Sequence, residues 1–226
     1  MSIQTAPKPV AREYLEALLI AVIFATFART FVFQAFKIPS GSMEENLLIG
    51  DHILVNKFIF GPASSRLAKA LLPFRSVRRG DVVVFRWPVD PSRDFIKRAI
   101  GLPGDVVRLV DKRLYVNGRR VADDSYTLHD RSSSLSRDNF GPIRVPADSY
   151  FCLGDNRDNS ADSRFWGMVP ASHLKGRALM VYWSFDEDPG TLEEAAGMTA
   201  RLARIAHVAA GFVSHTRWGR TLRIVR

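Results

Sequence analysis

The sequence predicts a mostly-β protein: an antiparallel β-sheet domain on one N-terminal transmembrane helix, with a C-terminal amphipathic helix. Three observations predict it. Residues 14–36, "YLEALLIAVIFATFARTFVFQAF", are almost entirely apolar. The 150 or so residues that follow are short β-branched and aromatic runs bounded by Gly, Pro and Asp. Near the end, Leu202, Ile205, Ala209 and Phe212 recur at three- and four-residue steps.

The N-terminal run sets the first boundaries. A span needs about 20 apolar residues, or slightly fewer with snorkelling ends. Arg29 interrupts the run near one end, and Glu13 and Glu16 lie at the other. A cleaved signal peptide or a buried core helix would also be apolar, but no convincing small-x-small cleavage site follows. Residues 1–13 read as a short N-terminal segment and 14–36 as the anchor. Lys8 and Arg12 before it are balanced by Arg29 and Lys37 after it, so charge leaves the orientation open.

Residues 37–186 read as the β-rich domain. "DHILVNKF" and "GDVVVFRWP" are its first strands after the anchor. "DVVRLVDKRLYVNGRRV" reads as strands with a hairpin, because Asn117-Gly118 suits a type I′ turn. "SYFCLGD" and "GRALMVYWSF" are two more strands. Residues 131–139 read as a polar, Ser-rich loop. Residues 64–74, "SSRLAKALLPF", form an apolar patch that could be a small helix, a core element or a membrane-touching lip. Residues 187–226 read as a basic, partly helical tail.

Composition narrows the function. The net charge is +9, yet six arginines and no acid lie from Arg201 onward. A basic tail without a nucleic-acid reader motif suits an anionic membrane surface better than nucleic acid. The amphipathic helix could dock on the domain or lie on lipid. The single cysteine, Cys152, excludes an intrachain disulfide and reads as core. His52, His129, His173, His207 and His215 show no metal-ligand spacing, and no metal or cofactor is expected.

Three stretches carry chemistry. "IPSGSM" places Ser40 and Ser42 around Gly41 just past the apolar run. It is either a plain turn or a turn presenting a nucleophile. In "DFIKRAIGLPGD", Lys97 sits within an apolar strand, on the face of Phe95 and opposite Ile96. Directed inward, it would lose hydration, its pKa would fall, and the neutral amine could act as a base. Directed outward, it would pair with Asp94. In "GDNRDNSADSRFWG", Asp155, Asp158 and Asp162 alternate with Arg157 and Arg164. The spacing does not fit a calcium loop. It suggests a self-satisfied ion-pair network able to hold a catalytic hydroxyl.

"IPSGSM", "LLIGDHILVNKF", "RGDVVVFRWP", "FIKRAIGLPGD" and "GDNRDNSADSRFWG", in this order, resemble the type I signal peptidases of bacteria. These are membrane-anchored serine proteases with a Ser–Lys dyad. The resemblance implies that Ser42 is the nucleophile and Lys97 its general base. Ser160 would orient the amine. Ser40 would join the Ser42 N–H in the oxyanion hole. Asp155, Asp162, Arg164 and Arg98 would hold the site together. Phe36, Ile38, Pro39 and Ile96 would line small pockets for Ala-like side chains. Gly41 would allow the tight turn that aims both serines.

The resemblance also implies a single-pass protein of the bacterial cytoplasmic membrane, with its catalytic domain on the extracytoplasmic side. Its partners would be preprotein signal peptides, the lipid bilayer and, by proximity, the export machinery. One departure stands out: Glu45 and Asn46 replace the Pro-Thr that often follows the nucleophile in the family, which touches substrate affinity rather than activity. Two rivals differ in kind. A self-cleaving repressor of the Ser–Lys type would carry a helix-turn-helix instead of the apolar run. A non-enzymatic, anchored β-rich binding module would have an inert serine turn.

Overall fold

A computed structural model describes residues 10–27, 29, 32–60, 74–123, 125–129, 134–186, 206 and 208–225. Helix Val10–Phe27 comes first and buries none of its residues. It is shorter than the expected 14–36 anchor, because strand β1, Phe33–Lys37, begins before the apolar run ends. Arg12, Glu13 and Glu16 occupy its first two turns, with Arg12 bonded to Glu16 at 2.8 Å. Among the described residues no helix is long and apolar enough to cross a membrane.

Among the described residues every pairing between named strands is antiparallel, as expected, and one isolated bridge, Leu128 with Asn156, is parallel. The remaining strands are β2 (Asp51–Asn56), β3 (Val82–Arg86), β4 (Asp94–Gly101), β5 (Val106–Val110), β6 (Arg113–Val116), β7 (Arg119–Arg120), β8 (Phe140–Arg144), β9 (Ser149–Leu153), β10 (Val169–Pro170), β11 (Leu174–Ser184) and β12 (Arg223–Ile224). Among the described residues the larger sheet runs β1-β2-β11-β3-β4-β9-β10, with β12 added on β11. The smaller sheet runs β7-β6-β5-β8. In β2, Asp51, Ile53 and Val55 are buried while the alternate residues are half-buried, the period-two pattern of a one-sided strand.

The expected turn at Asn117-Gly118 joins β6 to β7 with φ of 51° and 76°. Asp111 and Lys112 turn β5 into β6 the same way, at 47° and 67°. The 131–139 stretch is not all loop: Leu135–Asp138 forms one helical turn. Residues 64–73 of the apolar patch and Leu202 and Ile205 of the expected amphipathic helix lie outside the described residues.

The end of the chain is built into the domain rather than laid beside it. Met180 and Val181 of β11 register with Ile224 and Arg223 of β12. Val225, 5% exposed, joins the core formed by Ile38, Met43, Leu47, Ile53 and Val181. Phe212 packs against Trp183 and Trp218, with ring centroids 6.1 and 5.7 Å apart.

Candidate active site

The serine turn is held from both sides. Ile38 N–H donates to Asp51 O at 2.8 Å, and Gly50 N–H donates to Ile38 O at 3.0 Å, closing the 38–51 loop at its neck. Ser40 is exposed and extended, with φ −139° and ψ 155°. Gly41–Met43 is a single 3₁₀ turn. Met43 and Leu47 are fully buried, and their insertion into the core pins the turn that carries Ser42. Gly41 is not needed for its backbone freedom, contrary to expectation. Its φ is not positive, and an added Cβ would meet only the mobile end of the Glu44 side chain at 2.9 Å.

Lys97 lies on β4 and faces inward. Only 4% of it is exposed. Its Nζ stands 2.6 Å from Ser42 Oγ and donates to Ile96 O at 3.0 Å. The Phe95 ring lies 5.4 Å from Nζ, on the face that strand alternation predicts. Asp94, the partner an outward lysine would have used, binds Lys175 at 2.6 Å instead. Burial pushes the Lys97 amine down from 10.5 to about 8. The charges of Asp162 and Asp155 oppose that fall but do not cancel it.

The loop after β9 locks these two residues together. Asn156 N–H donates to Ser42 O at 3.2 Å. Arg98, next to Lys97, grips Asp155 with two bonds of 2.7 and 2.6 Å and gives a third to Gly80 O. Asp162 caps the short helix Ser163–Trp166 and takes two bonds of 2.8 Å from Arg164. It also accepts from Gly154 N–H at 3.1 Å. The other charges of the loop are matched too: Arg157 lies 2.6 Å from Asp123, and Asp158 binds Lys112 at 2.9 Å. An ion-pair network is present, but only Asp162 and Arg164 pair within the loop, and Asp155, Arg157 and Asp158 use partners outside it.

Ser160 departs from expectation. Its Oγ is buried and bonds to no described residue, so no bond to the Lys97 amine is formed. It lies against Gly154, where an added Cβ would sit 2.2 Å from Ser160 Oγ and 2.6 Å from Ser42 O. This glycine, not Gly41, is the one that the nucleophile turn requires.

Phe36, Ile38, Pro39 and Ile96 do come together. With Lys37, Ile53, Val84, Asp94 and Phe95 they line a pocket of about 40 Å³, whose Ile96 adjoins Lys97 in the chain. Cys152 is buried in β9, where burial raises its thiol pKa and leaves it inert. Asn46, a mere departure from pattern in the sequence, bonds Asp155 Oδ2 at 2.8 Å. Asp51, Arg217 and Arg220 also reach the loop, and no local feature of the sequence marks them.

A hydroxyl held against a buried amine is the pairing that serine hydrolases use where lysine stands in for histidine as base. The family model described as "Signal peptidase, peptidase S26" matches residues 11–183, and the chain belongs to that family. It is 39% identical over 213 residues to signal peptidase I of Pseudomonas fluorescens, covering 80% of this chain and 75% of that one. It is 40% identical over 186 residues to the probable signal peptidase I-2 of a Synechocystis species, covering 80% and 77%. A crystal structure of a signal peptidase I from Enterococcus faecalis, 30% identical, covers 46% of this chain and 97% of its own at a TM-score of 0.38.

Proposed function

We propose that this protein is a membrane-associated serine endopeptidase that removes N-terminal signal peptides from exported preproteins. The observation that carries the reading is the 2.6 Å contact between Ser42 Oγ and the buried Lys97 amine. A neutral amine accepts the hydroxyl proton as Oγ attacks the scissile carbonyl. The oxyanion is met by the Ser42 N–H and the Ser40 hydroxyl, and one such donor is typically worth about 3 kcal/mol of barrier. The lysinium then protonates the departing amine, leaving an ester on Ser42. Lys97 next takes a proton from water, which hydrolyses the ester and frees the signal peptide.

The pocket between Phe36, Ile38 and Ile96 accepts an Ala-sized side chain and sets the preference for small residues before the cut. Substrate lies extended along the domain strands, with alternate side chains reaching pockets. Asp155, Asp162, Arg98 and Arg164 keep the pair in register. Ser160 orients the amine once its hydroxyl turns from its unpartnered position. The exposed apolar face of helix Val10–Phe27 holds the enzyme at the bilayer, with residues before it cytoplasmic and the domain on the extracytoplasmic side. There it meets preproteins as they leave the export machinery. Anionic lipids face those tail arginines that the domain does not use.

The test is incubation of the purified full chain with a preprotein, wild type against Ser42→Ala. Cleavage after a small residue by wild type only is expected. Equal cleavage by both, or none by wild type, overturns the reading.

A further inference from the structure

We infer that Arg220, with Arg217 beside it, is a positioning residue for the nucleophile turn. The inference rests on the peptidase reading but concerns a segment past residue 183, where the family match ends. Asp51, at the head of β2, is fully buried. Arg220 binds it with Nε at 3.2 Å and Nη2 at 2.6 Å, while Ser184 Oγ and Leu48 N–H fill its remaining sites at 2.6 and 2.9 Å.

The same guanidinium groups also reach main-chain carbonyls of the serine loop. Arg220 Nη2 donates to Asn46 O at 2.9 Å. Arg217 donates to Ile49 O from both Nη atoms, at 3.1 and 3.0 Å. The tail thus supplies donors to two main-chain carbonyls of the loop.

Two paths lead from Arg220 to the reacting atoms. One follows the chain: Leu47 N–H donates to Met43 O at 2.8 Å, and Met43 adjoins Ser42. The other crosses the loop. Asn46 Nδ2 binds Asp155, and Asp155 holds Arg98 beside Lys97. Both members of the pair thus depend on where residue 46 sits. A lysine at 220 could neutralise Asp51, but it lacks the planar fork that serves the carboxylate and the carbonyl together.

The experiment uses the full chain with a signal-peptide substrate. Arg220→Lys retains the charge. The double variant Asp51→Asn/Arg220→Gln leaves no buried charge unpaired and guards against simple unfolding. Each should lower kcat about ten-fold with KM changed less than about two-fold, the mark of a displaced reacting group rather than lost binding. Hydrogen exchange should quicken at the Leu47 and Gly50 amides and stay unchanged at Cys152 in β9. Wild-type kcat in either folded variant overturns the inference. So does a fall in kcat that merely matches a fall in titratable active sites. If wild type itself fails to cleave, the peptidase reading is what fails. Exchange alone then decides, and unchanged rates at Leu47 and Gly50 overturn the role of Arg220.

Discussion

Lys97 Nζ lies 2.6 Å from Ser42 Oγ, although the two residues are 55 positions apart. Neither carries its chemistry alone. The hydroxyl is a weak nucleophile without a base, and the amine is a base only where burial keeps it neutral.

The first consequence concerns activity against pH. With the amine near 8, the neutral fraction falls about ten-fold for each pH unit below that value. A plot of log kcat/KM should therefore rise with unit slope and level off above about pH 8. A profile that is flat from about pH 6 to 9 would place the base elsewhere.

Stability should rise with pH, as it does for any group that binds its proton less readily in the folded state. The folded amine binds a proton less readily than the unfolded one, whose value is 10.5. Between about 8 and 10.5 the unfolded chain holds the extra proton, so stability rises with pH across that window. Below about 8 the full cost is present, about 3 kcal/mol. Lys97→Met removes the amine and keeps the length. It should be inactive, at least as stable as wild type near pH 6, and lose that advantage as pH approaches 10.5. Urea unfolding of both proteins at several pH values measures this. A methionine variant weaker at pH 6 by more than about 1 kcal/mol would make Lys97 an ion-paired structural residue.

Gly154→Ala should be far more harmful than Gly41→Ala. The first places a methyl 2.6 Å from the Ser42 carbonyl, while the second meets only the flexible Glu44 carboxylate. Overpacking of this kind costs about 1–3 kcal/mol and shifts the backbone that carries the nucleophile. Thermal melts and turnover of the two variants should separate clearly. Equal behaviour would mean that the loop yields freely.

The pocket should set substrate size. Its volume is about 40 Å³, and Ile53 forms part of its wall. Trimming Ile53→Ala should relax the preference, so that a Val before the cut is processed relative to Ala about ten-fold better than by wild type. The readout is competition between paired preproteins. An unchanged ratio would move the specificity pocket away from this wall.

Much of this site is legible in the sequence where the signal is local. Strand alternation puts Lys97 with Phe95. The type I′ turn at Asn117 needs only its own dipeptide. Other features depend on distant parts of the chain. Phe33 to Phe36 read as the end of an apolar helix because hydrophobicity alone does not distinguish it from a strand, yet β2 pairs with them. The glycine that matters is 154 rather than 41, because close approach of another segment leaves no mark in flanking residues. Arg217 and Arg220 look like lipid-facing charges, since an arginine facing solvent and one gripping a buried aspartate 169 positions away share one letter.

That last pairing has a biosynthetic consequence. Ser42 and Lys97 are translated long before Arg220, and Val225 later still fills the core beneath the serine turn. Until residues 217–225 have emerged and folded back, a ribosome-bound chain holds the turn that carries Ser42 without the arginine fork on Asp51 and Asn46 and without Val225 beneath it.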